Sequence, residues 1–254
     1  MLSLITVSIL RGNTSSSYNR HVTPTFVDLK IIQLFAPFQV KPLWVDATDI
    51  LSQNALVNGF IYAAMVFLYW HFSGDKDQGR AERIMLTILI GTVIGALGSL
   101  ALQQVIGWPP PAFYPPLKSV YALHSPLSPN SNSFPSDSAM LYSTVAFGMA
   151  AWSRKLSMAL LGWLLIFIAP IRIFVGGHYP SDILAGVFLG FCSLQVARAL
   201  VRTLPRIESL ASSQATIFRL ILFLWLFEIG NEFADFSKLL HTTLHLIWKI
   251  GKNG

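Results

Sequence analysis

Arg172, His178 and Asp182 lie close together in the run Ile171–Gly186, which reads Ile-Arg-Ile-Phe-Val-Gly-Gly-His-Tyr-Pro-Ser-Asp-Ile-Leu-Ala-Gly between two long apolar segments. Ionisable residues are costly near a bilayer and point to function by default. Pro180 suits the first turn of a helix, where its missing N–H costs nothing. Asp182 then falls in that first turn, where the positive end of the helix dipole stabilises a carboxylate. His178 sits about one turn earlier, beside Gly176-Gly177, which let the chain bend tightly. A carboxylate that fixes a histidine, with an arginine to hold an anion, is the skeleton of a nucleophilic phosphate site. The plainer alternative is a polar cluster that only ties helices together.

A second stretch repeats the theme. Ser133-Phe134-Pro135-Ser136-Asp137-Ser138-Ala139 places an aromatic residue and Pro-Ser-Asp ahead of an apolar segment, as Tyr179-Pro180-Ser181-Asp182 does. Either copy alone is simply a good helix start. As a pair, beside Arg172 and His178, their free N–H groups and serine hydroxyls form a cradle for an anion. Ser136, Asp137 and Ser138 are therefore candidate phosphate-site residues.

The spacing Arg172, five residues, His178, three residues, Asp182, followed by Ile183-Leu184-Ala185-Gly186, resembles the third signature of the type 2 phosphatidic acid phosphatase superfamily. The resemblance implies a membrane-embedded phosphatase or phosphotransferase of lipid phosphates or polyprenyl pyrophosphates that needs no metal or other cofactor. It also implies that His178 forms a phosphohistidine, Asp182 orients it and Arg172 binds phosphate. Ser133–Ala139 resembles the second signature, with Ser138 where that family has its general-acid histidine. A serine hydroxyl cannot donate a proton near neutral pH as imidazole can. The first signature fits best with Gln103 at its lysine and Pro110-Pro111 at its Arg-Pro, so both cations are replaced. Lys118 and His124 in the following loop are candidate substitutes, though a loop lysine or histidine is often only a surface residue.

The elements that must position these groups follow from composition. The 254 residues are 53% apolar and 12% charged, which fits one integral membrane domain rather than soluble ones. The net charge of +6 is spread over short loops, a topological pattern rather than a nucleic-acid surface. The single cysteine, Cys192, lies in an apolar segment and excludes a disulfide framework. His71, His124 and His178 lack metal-ligand spacing, and His241 with His245 is a weak zinc or pH signal.

Residues 1–10 are apolar but lack a cleavage site, so no signal peptide is expected. Residues 11–24 are polar and expected to be poorly ordered, and 26–51 read as one or two interfacial helices. Spans are expected at 56–72, 84–106, 135–152, 156–174 and 180–201, with a sixth at 214–230 weakened by Arg219 and Glu228. The expected organisation is an N-terminal segment 1–54, a phosphatase-like domain 55–202 and C-terminal helices 203–254, in an all-α membrane bundle. Trp163, Phe167, Phe188 and Phe191 read as packing or lipid contacts.

Basic residues in the loops around Arg80, Arg154 and Arg206 place those loops in the cytoplasm. Loop 107–134 and the 172–182 turn then share the opposite face. The expectation is a lipid phosphatase or phosphotransferase in a bacterial inner membrane, with a polyprenyl phosphate or pyrophosphate as substrate and no nucleic-acid partner. Its rival is a degenerate member that binds lipid phosphate or scaffolds a complex without turnover. A transporter is disfavoured because no inverted repeat of broken helices appears.

Overall fold

The computed structural model describes residues 23–52, 57, 59, 65, 78–121, 132–203 and 224. Among them the secondary structure is all helical. The main elements are α1 (Phe26–Gln39), α2 (Pro42–Ser52), α3 (Gln78–Ile106), α4 (Asp137–Met149), α5 (Arg154–Phe174) and α6 (Pro180–Thr203). Three of them, α3, α5 and α6, are long and apolar enough to cross a membrane.

Local chemistry sets where these helices begin. Thr25 and Asp28 close a capping box on α1, each side chain accepting the other's backbone N–H. The Ser136 and Ser153 hydroxyls accept from Ala139 N and Leu156 N at the starts of α4 and α5. In α6, the N–H of Tyr179 donates to Asp182 Oδ2 at 2.7 Å. Pro170 removes a donor inside α5, and the helix widens into a π turn over Leu164–Ile168 just ahead of it. That wider turn changes the phase of the last turn of α5, which carries Arg172.

The interior is the meeting of α3, α4 and α6, with α5 against α4. Helix α4 is enclosed on nearly every side, with Ser138 to Ala146 all buried. Close approach to α6 depends on Gly186 and Gly190, spaced four apart on one face. A Cβ on Gly186 would strike the Ser136 carbonyl, and one on Gly190 the Ser143 hydroxyl. This is small-residue packing of the kind that joins helices in membranes, where apolar burial alone gives little drive.

The structure corrects two expectations of length. The segment 135–152 is not a full span: α4 has 13 residues, about 20 Å at 1.5 Å per residue, against a hydrocarbon core of about 30 Å. Its apolar character reflects burial inside the bundle. The second half of the charged loop before Ile84 is helical, because α3 begins at Gln78 and buries Glu82. The expected spans at 156–174 and 180–201 agree closely with α5 and α6. The region expected to be interfacial forms two helices that leave Phe26, Leu34, Leu43, Trp44 and Ile50 exposed. Of the expected span 56–72 only Val57, Gly59 and Met65 are described, and of 214–230 only Leu224.

Candidate active site

The turn from α5 to α6 is fixed from three sides. Gly176 takes a φ of 80°, and a Cβ there would meet the Tyr121 ring at 2.8 Å. Tyr121 donates its hydroxyl to the Ile173 carbonyl at 3.2 Å, and burial raises the pKa of that phenol, so it stays a neutral donor. Ala112 N donates to the Gly176 carbonyl at 3.1 Å, and Ser136 N to the Asp182 carbonyl at 3.1 Å. Trp108 stacks on Phe134 and tilts against the fully buried Tyr179, tying both turns to the end of α3. The two Pro-Ser-Asp stretches are thus brought side by side, as their sequence symmetry suggested.

His178 is held by a backbone group. Its Nδ1 lies 2.7 Å from the Ser133 carbonyl oxygen. A carbonyl only accepts, so Nδ1 carries the proton and Nε2 keeps its lone pair. The side chain is 17% exposed. Burial and the Arg172 guanidinium, opposed by the Ser133 hydrogen bond, push its pKa down to about 4. The ring is therefore a neutral base at physiological pH.

Asp182 is fully buried, with Oδ2 4.0 Å from His178 Nδ1. That is too long for a hydrogen bond. Its role as the group that orients His178 is thus displaced: the direct partner is the Ser133 carbonyl, while Asp182 holds the Tyr179 N–H one turn below.

Asp137 faces α3. Its Oδ1 accepts from Ser99 Oγ, and Gln103 Nε2 lies 3.0 Å from both carboxylate oxygens. Arg172, half-buried on α5, is within electrostatic reach of Asp137 and Tyr142. Gln103, the residue aligned with the family's lysine, therefore does reach the site, as a neutral donor to a carboxylate. Asp137 offers acceptor oxygens already engaged, which is not how a carboxylate would bind phosphate. Ser136 is fully buried and Ser138 nearly so, Ser136 capping α4. Lys118 is exposed on the turn after Leu117, and among the described residues no contact links it to His178. His124 lies outside the described residues.

Three participants escaped the sequence reading. Ser99 was hidden in an apolar run, and the Ser133 carbonyl carries no side-chain signal at all. Asp28 is readable as a capping-box residue, but not its tertiary partner. It is buried and its oxygens accept from Ser181 N at 2.9 Å and Ser181 Oγ at 3.0 Å. At the other end of α1, Gln39 Nε2 donates to the Phe174 carbonyl at 2.7 Å. Helix α1 thus bridges the end of α5 and the start of α6, with Ile32 buried and Phe35 edge-on to Phe174 between the two polar anchors.

This arrangement, a neutral histidine with a free Nε2 beside an arginine at the turn between two long apolar helices, sits in a chain with a recognisable relative. The Escherichia coli (strain K12) protein named "Putative undecaprenyl-diphosphatase YbjG" is 39% identical over 59 residues. That match covers 23% of this chain and 30% of the relative, so it spans less than a third of the relative's length. No solved structure matches the chain significantly. A family model described as the PAP2 superfamily matches residues 83–206, from the second turn of α3 to just past α6 and so across the site residues above except Asp28 and Gln39 of α1. Through these residues the chain is similar to the PAP2 superfamily.

Proposed function

We propose that this chain is a membrane phosphatase or phosphotransferase that acts on a lipid phosphate through a phosphohistidine at His178. The observation that carries the reading is the tautomer: Nδ1–H is committed to the Ser133 carbonyl, so Nε2 is the nucleophile, and Arg172 stands beside it. Nε2 attacks phosphorus, the bond from phosphorus to the leaving oxygen breaks, and water then hydrolyses the phosphohistidine to inorganic phosphate. Arg172 neutralises the equatorial oxygens as charge redistributes. With Ser138 in place of an imidazole, a good leaving group is favoured, because general acid catalysis is worth about 10²–10⁴-fold and a phosphate needs it less than an alkoxide. A polyprenyl pyrophosphate, releasing the polyprenyl monophosphate, meets that requirement, and the name of the E. coli relative agrees with it. The site would face the non-cytoplasmic side of an inner membrane, since Arg80, Arg83, Arg154 and Lys155 lie at the other end of the bundle.

A second reading is favoured by one specific observation. Asp137 lies in the field of Arg172, with Gln103 rather than a cation on its far side. That leaves Arg172 to serve a carboxylate as well as a phosphate, as in a member that binds lipid phosphate weakly without turnover.

Phosphate release by the detergent-purified protein from undecaprenyl pyrophosphate, phosphatidic acid and phosphatidylglycerol phosphate separates the two. Release that disappears in His178→Ala is the expected result, with the pyrophosphate turned over fastest. Equal background release from wild type and His178→Ala on all three lipids would overturn the enzyme reading in favour of the second.

A further inference from the structure

The end of the bundle away from His178 holds a cavity of about 220 Å³ between the start of α3 and the ends of α4 and α6. Arg83, Arg198 and Arg202 line it, with Thr87 beside them and the buried Ile84 and Val201 as an apolar wall. Arg198 is half-buried and anchored through neutral acceptors: it donates to the Phe147 carbonyl at 3.1 Å and to Gln195 Oε1 at 3.3 Å. Arg202, one turn on and of the same sign, acts on it electrostatically. Among the described residues no carboxylate neutralises either of them. Holding two guanidinium groups together at the mouth of one cavity is unfavourable unless an anion joins them.

The depth of the cavity narrows the choice of anion. Arg198 comes 18 residues after Pro180 in α6, about 27 Å along the axis at 1.5 Å per residue. A helix that starts at one edge of a hydrocarbon core about 30 Å thick brings Arg198 and Arg202 to the headgroup level of the far leaflet. Basic pockets between spans at that level take anionic headgroups.

We infer that the cavity formed by Arg83, Arg198 and Arg202 binds the phosphate of an anionic phospholipid in the leaflet opposite His178. The guanidinium groups of Arg198 and Arg202 would grip the phosphodiester, Arg83 would close the rim from α3, and Ile84 and Val201 would meet the glycerol and first acyl carbons. A lipid seated there bridges α3 and α6, the two long helices that carry Gln103 and Asp182 at their other ends. The site is independent of the reaction at His178.

The test uses the full chain, delipidated in neutral detergent, titrated with dioleoyl-phosphatidylglycerol, dioleoyl-phosphatidylcholine or inorganic phosphate and followed by native mass spectrometry and thermal shift. Phosphatidylglycerol should bind in preference to phosphatidylcholine and raise the melting temperature. Each of Arg83→Gln and Arg202→Gln, both at exposed positions, should weaken it about fivefold. Arg198→Gln/Arg202→Gln should abolish the preference. Arg154→Gln/Lys155→Gln and Arg172→Gln should leave it unchanged. No preference in the wild type, or a preference lost with Arg172→Gln but kept in Arg198→Gln/Arg202→Gln, would overturn the inference. Binding of inorganic phosphate that competes fully with the lipid would assign the site to free phosphate instead and would equally reject the lipid.

Discussion

The two ends of α6 are built from opposite charges. At its start, Asp182 lies in the first turn and Asp28 reaches in from α1 to take the Ser181 N–H and hydroxyl. At its end, Arg198 and Arg202 occupy the last two turns. Each arrangement is what the helix dipole favours, carboxylates at the positive end and cations at the negative end. The consequences for an incoming phosphate are nevertheless opposite. The end that carries His178 has already filled a helix N-terminus with a carboxylate and set Asp137 beside Arg172, so little positive potential is left over. Among the described residues, the other end gathers Arg83, Arg198 and Arg202 around one cavity. In the two proposals above, chemistry and anion affinity, which a single phosphate site would combine, are separated along one helix.

The largest perturbation of the reactive end is removal of Nε2 itself. His178→Ala should lower phosphate release about 10⁴-fold or more while leaving phosphatidylglycerol binding at the arginine end intact. A phosphorylated intermediate trapped by acid quench should disappear with it. Persistent turnover in this variant would mean that the nucleophile is elsewhere.

Arg172→Gln should come next, costing about 10²–10³-fold in kcat/KM by analogy with loss of one transition-state donor. It also carries a signature in pH. The pKa of His178 is lowered to about 4, first by burial and then by Arg172. In the proposed mechanism the neutral imidazole attacks, so activity should be present above about pH 4 and fall as pH drops through that value. Without Arg172 the acid limb should move upward, but not fully to the ordinary histidine value near 6.5, because burial remains. An acid limb already near 6.5 in the wild type would show that the ring is not enclosed as described.

How much of this was legible depended on whether a residue announces its partners. The run Arg172–Asp182 was readable because membrane segments carry few charged groups, and the long apolar stretches fixed α5 and α6 within a few residues. The twin Pro-Ser-Asp motifs correctly foretold two helix starts side by side. The length of α4 was not readable, because burial among helices and burial in lipid select the same apolar residues. Nor was the partner of His178: Asp182 is four residues away and chemically apt, yet the Ser133 carbonyl, a group every residue possesses, is closer. Gln103 was recognised as a neutral replacement for a cation, but its contact with Asp137 needed α3 and α4 to be packed together first.

Gln103→Lys probes that contact from the opposite direction. Placing an ammonium where Nε2 lies 3.0 Å from both Asp137 oxygens would satisfy the carboxylate and release Arg172 toward phosphate. The expected result is a rise in kcat/KM of about tenfold on a lipid pyrophosphate, roughly 1.4 kcal/mol, chiefly through KM. A fall would show that Arg172 is not held back by Asp137, and that the scarcity of cations at this end is not what limits it.

The smallest effect should come from the strap. Asp28→Asn keeps an acceptor for the Ser181 N–H but loses the charge that complements the α6 dipole and the second oxygen that serves Thr25 and the Ser181 hydroxyl. The cost should be about 1 kcal/mol, a few degrees in the melting temperature of the detergent-solubilised protein. Activity measured at saturating pyrophosphate should change little, because the hydrogen bond from His178 to Ser133 does not pass through α1. A modest gain in affinity for phosphate is also expected, since the Ser181 N–H would then face a neutral amide that an anion can displace more easily than a carboxylate. A melting temperature unchanged in Asp28→Asn, together with unchanged affinity, would mean that the α6 N-terminus is not closed by Asp28. The contrast between the two ends of that helix would then rest on Asp137 and Asp182 alone.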